Sequence, residues 1–233
     1  QKKDMTFKLV LAAINQDLFD AFKKHFAKHP EVEVVFNRFE SVDFDCVVSA
    51  ANSFGLMDGG VDQCITDLFG VQMMKRVQQE VLRQHYGEQP VGTSMIVRGN
   101  EHFVIGQKNK YVAHTPTMRI PADVHHTRNP YMAMKAMLIA VEQHNKKVEL
   151  NFGSGQDTKI ETVVCPGLGT NAGRVPAEDA AKQMVLAYQH VKNPPIAIDW
   201  YYAQNRDMEI IKMESNQVDD IMGALDLAQF NDK

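Results

Sequence analysis

The sequence predicts an α/β sandwich, in which helices cover both faces of one sheet, and three observations carry the prediction. Short apolar, β-prone runs alternate with segments of helical periodicity. Gly- and Pro-bearing punctuation separates one run from the next. The 233 residues are enough for one sizeable core and only marginally enough for two.

Taken in order, "TFKLVLAAI" reads as the first strand. In "NQDLFDAFKKHFAKH", Leu18, Phe19, Phe22 and Phe26 recur at helical spacing, and Pro30 stops the helix. "VEVVF" and "FDCVVSA" are two more strands, followed by one long helical segment, "GVDQCITDLFGVQMMKRVQQEVLRQHYG", which Gly87 and Pro90 end. Strands are expected in "GTSMIVRG", "HFVIGQ" and "YVAHTPT". Past the loop "MRIPADVHHTRNP", the helix "YMAMKAMLIAVEQHN" has Met132, Ala136, Ile139 and Ala140 spaced to face the core. "IETVVCPGL" then reads as a buried strand and "PAEDAAKQMVLAYQHV" as its helix. The domain is expected to span residues 5–193. Residues 194–233, after "NPP", are too few for a second domain and are expected to pack on the body as an edge strand or short helix, then a polar tail.

Composition narrows the function classes. Apolar residues at 44% and charged residues at 23% are ordinary globular values, and no apolar run is long enough to span a bilayer, so a soluble protein without a membrane partner is expected. A formal charge of −4 supplies no basic field and argues against nucleic acid as the partner. Cys46, Cys64 and Cys165 lack C-x-x-C spacing, and the start, "QKKDMTFKLV", lacks the apolar stretch of a secretion signal. Reduced thiols and a cytoplasmic location are the expectation. Cys64 could act as a nucleophile near His85, although its helix turn points it toward the core. His125 and His126 are adjacent, with no carboxylate or cysteine cluster around them, so no metal is expected.

Two loops stand out. "SAANSFGLMDGGVD", Ser49 to Asp62, follows the strand "DCVV", and "PGLGTNAGRVP", Pro166 to Pro176, follows the strand "ETVVC". Ligand crevices of α/β sheets lie beyond the carboxyl ends of the strands, where loops open into helices with unpaired amides. Glycines at 55, 59, 60, 167, 169 and 173 would let backbone amides close around an anion, with phosphate the obvious guest. Neither loop contains the G-x-x-x-x-G-K-[ST] of a P-loop or a full G-x-G-x-x-G dinucleotide turn.

"DCVVSAANSFGLMDGGVDQCI" resembles the macrodomain signature, a strand ending in Asn-Ala-Ala-Asn, then a Gly-rich turn, Val-Asp and a helix. "VVCPGLGTNAGRVPAEDAAKQM" is similar to that family's second loop, and "GNEHFVIGQKNKYVAHTPTM" to its middle hairpin, with His114 where many members have a strand histidine. The resemblance covers about residues 31–191. It implies a three-layer α/β/α sandwich with a mixed central sheet that binds ADP-ribose or an ADP-ribosylated substrate and hydrolyses an ADP-ribosyl linkage, without metal or cofactor. Carried over by position, Asn52 would hold the distal ribose and Asp62 would activate or orient a water. Ala50, Ala51, Gly59, Gly60 and Val61 of the first loop, with Gly167, Gly169, Thr170, Asn171, Gly173 and Arg174 of the second, would line the ligand. A valine at Gly60 is then expected to block the phosphate and leave the fold intact.

Several positions depart from the family pattern. Ser49 replaces the first Asn, and Asp58 stands where hydrolytic members usually have Gly. Asn171 replaces a Gly and is expected to take the left-handed conformation after Gly169. Arg38, with Phe39 beside it, falls where most members have an acid that reads the adenine amino group. Bland alternatives stay open: Asp62 as an acid favoured by a helix dipole, and Asn52 as a loop cap. A reader that binds ADP-ribose without turnover, or a ligand-free interaction domain, remains a rival to the hydrolase.

Overall fold

A computed structural model describes residues 4–99, 108–152 and 155–214. In chain order its elements are β1 (Lys8–Ala13), α1 (Gln16–His25), β2 (Glu33–Phe36), β3 (Cys46–Asn52), α2 (Gly60–Phe69), α3 (Gln72–His85), β4 (Met95–Arg98), β5 (Tyr111–Met118), α4 (Asn129–Glu149), β6 (Thr162–Cys165) and α5 (Ala177–Lys192). The expected strand "HFVIGQ" and the polar tail beyond residue 214 lie outside the described residues.

The strands form one sheet in the order β2-β1-β6-β3-β5-β4. All neighbours are parallel except β4, which is antiparallel to β5. The sheet is therefore mixed, as the resemblance implied. Parallel strands buried on both faces need near-continuous apolar residues, and β1, β3 and β6 supply them. Their register aligns Val10, Val164, Val47, Val112 and Val97 in one lateral row across five strands. That row joins Ile65 of α2 and Met73, Val77 and Val81 of α3 in a single core on one face. On the other side α1 packs on α5, and α5 on α4, which covers β5.

Helix boundaries follow local chemistry. Asn15 caps α1 by accepting from the Leu18 amide at 3.0 Å, while Asp17 in the first turn and Lys23, Lys24 and His25 in the last complement its dipole. The helix stops at His25, a turn ahead of Pro30. The long segment after β3 is two helices and not one, because Gly70 adopts φ 91°, a conformation that breaks the ladder between α2 and α3. In α4 the buried stripe is Ala133, Met134, Met137, Leu138 and Val141, one position round from the expected one, with Ile139 36% exposed. Packing against both β5 and α5 sets that phase.

The described residues divide into two compact units, one of residues 4–192 and one to which residues 193–214 belong. Among the described residues of the second, 200–214 are helical.

Candidate functional site

β3 and β6 are adjacent and parallel, so the loops that leave their carboxyl ends emerge side by side at one edge of the sheet. The loops meet: a Cβ built on Gly60 would lie 3.0 Å from Asn171 Nδ2. This juxtaposition brings two sequence-distant glycine-rich stretches together, and the space beside them is the candidate cleft.

The floor of the cleft is the N-terminus of α2. Its N-cap, Gly59, is extended at φ −154° and offers no side-chain cap, and the helical ladder starts with the Gln63 amide donating to Gly59 O at 3.3 Å. Among the described residues, the amides of Gly60, Val61 and Asp62 have no acceptor within the chain. These three N–H groups lie in the first turn, at the positive end of the helix dipole, where a negative charge is favoured and an anion seat can form. Gly60 has φ +57°, in the left-handed region. A valine there would strain the backbone as well as obstruct the seat, contrary to the expectation of an intact fold. Gly59 is the open position, since a Cβ there meets nothing within 4 Å.

The second loop folds its carbonyls inward. Thr170 Oγ1 donates to Gly167 O at 3.2 Å, the Val175 amide to Gly169 O at 2.9 Å, the Arg174 amide to Asn171 O at 3.0 Å and the Val124 amide to Gly173 O at 2.9 Å. Among the described residues the amides of Gly169, Thr170 and Asn171 have no partner in the chain. Gly173 serves the loop and not the cleft, because a Cβ there would lie 2.5 Å from Gly169 O. Left-handed backbone occurs at Gly169 and at Arg174 (φ 56°), and not at Asn171 as expected. The tight Gly169–Val175 closure places the strain at Arg174 instead.

Asp62 lies in the first turn of α2, only 6% exposed, and accepts a 2.5 Å hydrogen bond from Ser49 Oγ, itself fully buried on β3. Burial pushes its carboxyl up to about 6; the Ser49 hydrogen bond opposes that and the charge of Asp58 adds to it. The sequence presents Ser49 only as a replaced Asn, yet one signal could have flagged the pairing. A polar residue at the period-two inward position of "VVSA" requires a buried partner.

Asn52, at the end of β3, organises the first loop. Its Nδ2 donates to Leu56 O at 2.8 Å, and its Oδ1 accepts from the Phe54 and Leu56 amides at 3.0 and 3.3 Å. Ala51 is buried and Ala50 half-buried on the same strand, and Val61 packs against the core. At the β2 end, Arg38 Nη2 donates to Glu40 Oε1 and to Cys64 Sγ, both at 3.2 Å. Phe39 is 6% exposed and packs against Phe44 in the core, with ring centroids 6.2 Å apart, so its surface goes to packing and not to a ligand base. Cys64 likewise packs against that core.

Sequence reading also missed a polar pair beside Ser49. The row that contains Ser49 continues to His114 on β5 and Met95 on β4. Gln89 Nε2 donates to His114 O at 3.0 Å, so its Oε1, 2.6 Å away, accepts from His114 Nδ1. Burial, with a smaller push from His85, holds His114 down to about 3 and therefore neutral. His125 pairs with Asp123 and lies against His126, the ring centroids 3.4 Å apart and the planes tilted by 48°. Among the described residues no group of three His, Cys, Asp or Glu side chains is arranged to hold a metal ion. No described helix is long and apolar enough to cross a membrane. A separate cavity of about 600 Å³ opens along β1 and β2 between Lys8, Phe19, Phe36 and Asp43, and none of the loop residues lines it.

The family model described as Macro domain matches residues 48–184, which takes in both loops, β6 and most of β3. The chain belongs to the macro domain family. An uncharacterized protein of Aquifex aeolicus is 31% identical over 155 residues, covering 66% of this chain and 79% of the relative. Among solved structures, the macrodomain of Mycobacterium tuberculosis DarG is 20% identical, covering 67% of this chain and 88% of its own, with a TM-score of 0.47. An Oceanobacillus iheyensis macrodomain variant solved with ADPR is 14% identical over 91% of this chain and 98% of its own, also with a TM-score of 0.47. The O. iheyensis macrodomain solved with ADP is 16% identical, covering 74% and 85%, with a TM-score of 0.43.

Proposed function

We propose that the cleft of this macrodomain binds ADP-ribose or a closely related ADP-ribosyl adduct and hydrolyses an ADP-ribosyl ester or glycosidic linkage. The observation that carries the reading is a buried carboxylate, Asp62, next to an uncapped helix N-terminus. The diphosphate is an anion that the amides of Gly60 and Val61, with those of Gly169 to Asn171, can take up without desolvating a side-chain charge. Binding there brings the distal ribose to the end of β3. Asn52 Nδ2 has a second hydrogen beyond the one given to Leu56 O, and it is the ribose donor in this reading. Asp62, poised near 6 and ionised at neutral pH, accepts the proton of a water as that water attacks the ribose carbon and the linked group leaves. The test is calorimetric titration with ADP-ribose followed by a turnover assay on the same sample, and absence of both sinks the reading.

A non-catalytic reader is the second reading, favoured by Asp58. It is exposed on the loop leading into α2 and brings a negative charge toward the anion seat. Binding without turnover decides for it.

Two variants probe the ligand's placement. Gly59→Val is expected to weaken ADP-ribose binding about tenfold or more with the melting temperature little changed, because the added side chain enters open space from an extended backbone. An affinity equal to the parent's would remove the anion seat from the binding site. At the base end, Arg38 offers only donors and is already turned to Glu40 and Cys64, so it cannot accept from an adenine amino group. Competition between ADP-ribose and its inosine analogue should discriminate weakly between the two bases. A strong adenine preference would mean that a different group reads the base.

A further inference from the structure

We propose that Ser49 is a positioning residue: its buried hydroxyl donates to Asp62 Oδ1, fixes the orientation of that carboxylate and keeps it a base, leaving Oδ2 for the water. The proposal rests on the hydrolytic reading above. An acid at the third position of a helix ordinarily turns back to the N-cap amide. Here the N-cap is Gly59, and Asp62 instead reaches across to β3, where Ser49 meets it at 2.5 Å. Both partners are buried, so water does not substitute for the bond, and a charge-assisted O–H···O⁻ contact of that length is at the strong end of its class.

The surroundings leave Ser49 as the group that holds the carboxylate. From the preceding loop, Asp58 contributes only repulsion. On β5, His114 is neutral, its Nδ1 proton is committed to Gln89, and its buried Nε2 is an acceptor that offers Asp62 nothing to bind. Arg38, reaching α2 from the end of β2, spends its Nη2 on Glu40 and Cys64. Asn171 of the second loop approaches Gly60 and carries no charge. The strand hydroxyl therefore lowers the proton affinity of a carboxyl otherwise raised by burial and by a like charge.

The experiment compares the full chain with Ser49→Ala and Ser49→Thr by carbon-13 titration of the Asp62 carboxyl, its signal identified by loss in Asp62→Asn, and by turnover against pH. Ser49→Ala should raise the Asp62 midpoint by about one unit or more and move the acid limb of turnover with it. It should lower kcat while KM and product affinity stay within about twofold, and threonine, which keeps the hydroxyl, should restore both. An Asp62 midpoint unmoved in Ser49→Ala, or a threonine variant that folds but behaves like alanine, overturns the assignment. A parent without turnover overturns the hydrolytic reading instead. The carboxyl titration then decides Ser49 alone, a raised midpoint supporting it and an unmoved one refuting it.

Discussion

Asp62→Ala is expected to lower single-turnover release of ADP-ribose by about 10²-fold or more, the range usual for removing a general base. Affinity for free ADP-ribose should change far less, because a contact made to the attacking water is realised mainly in the transition state. Asn52→Ala should behave differently and weaken both. Its side chain ties Leu56 O and the amides of Phe54 and Leu56 into one turn, so alanine loosens the first loop as well as removing a ribose donor. The two variants thus separate a chemical role from a binding role within one cleft. Release from a modified substrate, measured beside calorimetric affinity for parent and both variants, checks the pair. Turnover unchanged in Asp62→Ala would remove the base from the mechanism, whatever the affinity.

Why the proximity of the two glycine-rich loops could be expected from the sequence, while the Ser49–Asp62 pair could not, has a physical answer. Loop chemistry is local: an apolar strand that gives way to Asn, Ser and several Gly announces a backbone that must approach something closely, and the order of strands then brings two such places together. A parallel sheet puts both loops at its carboxyl edge, and the observed β3–β6 adjacency makes them neighbours. Side-chain pairing between a strand and a helix is not local. Ser49 finds Asp62 because α2 starts where it does, and that start depends on Gly59 and Gly60, whose conformations no periodicity reports. Phe39 shows the same limit from the other side. A ring beside Arg38, expected from the resemblance to lie at the base end of the site, packs inward on Phe44, because apolar surface is buried wherever the core can take it.

Errors of the fold reading have the same origin. Helical periodicity runs through Gly70 without interruption, since one residue at φ 91° removes the ladder but leaves the apolar spacing on either side. The stripe of α4 was displaced because a helix between a sheet and a second helix buries two flanks, and a single-face template fits either one. In contrast β1, β3 and β6 were plain, as strands buried on both faces read as near-continuous apolar runs, with Ser49 the buried polar interruption in β3.

Asp62→Asn should make the protein more stable at neutral pH while abolishing turnover. The carboxyl, raised from 3.8 to about 6 in the folded chain, binds its proton more tightly there than in the unfolded chain. Its favourable contribution is fully present below about pH 4 and is lost as pH rises through 6, a difference of about 3 kcal/mol at neutral pH. His114 runs the opposite way. Depressed from 6.5 to about 3, it supports the fold above pH 6.5, and that support is lost as pH falls toward 3. Between pH 4 and 6 the two slopes oppose each other in the parent. Asparagine keeps an oxygen for the Ser49 hydroxyl but does not ionise, so of these two slopes that of His114 remains. Thermal melts from pH 4 to 8 should therefore show the variant melting about 5 °C or more above the parent at pH 7.5, with the gap closing toward pH 4. A variant no more stable than the parent at pH 7.5, or a gap that persists into acid, would show that the buried carboxylate costs the fold nothing. If the gap appears as expected, the chain keeps at neutral pH a buried acid that weakens it. Such an acid belongs to the chemistry of the cleft and not to its scaffold.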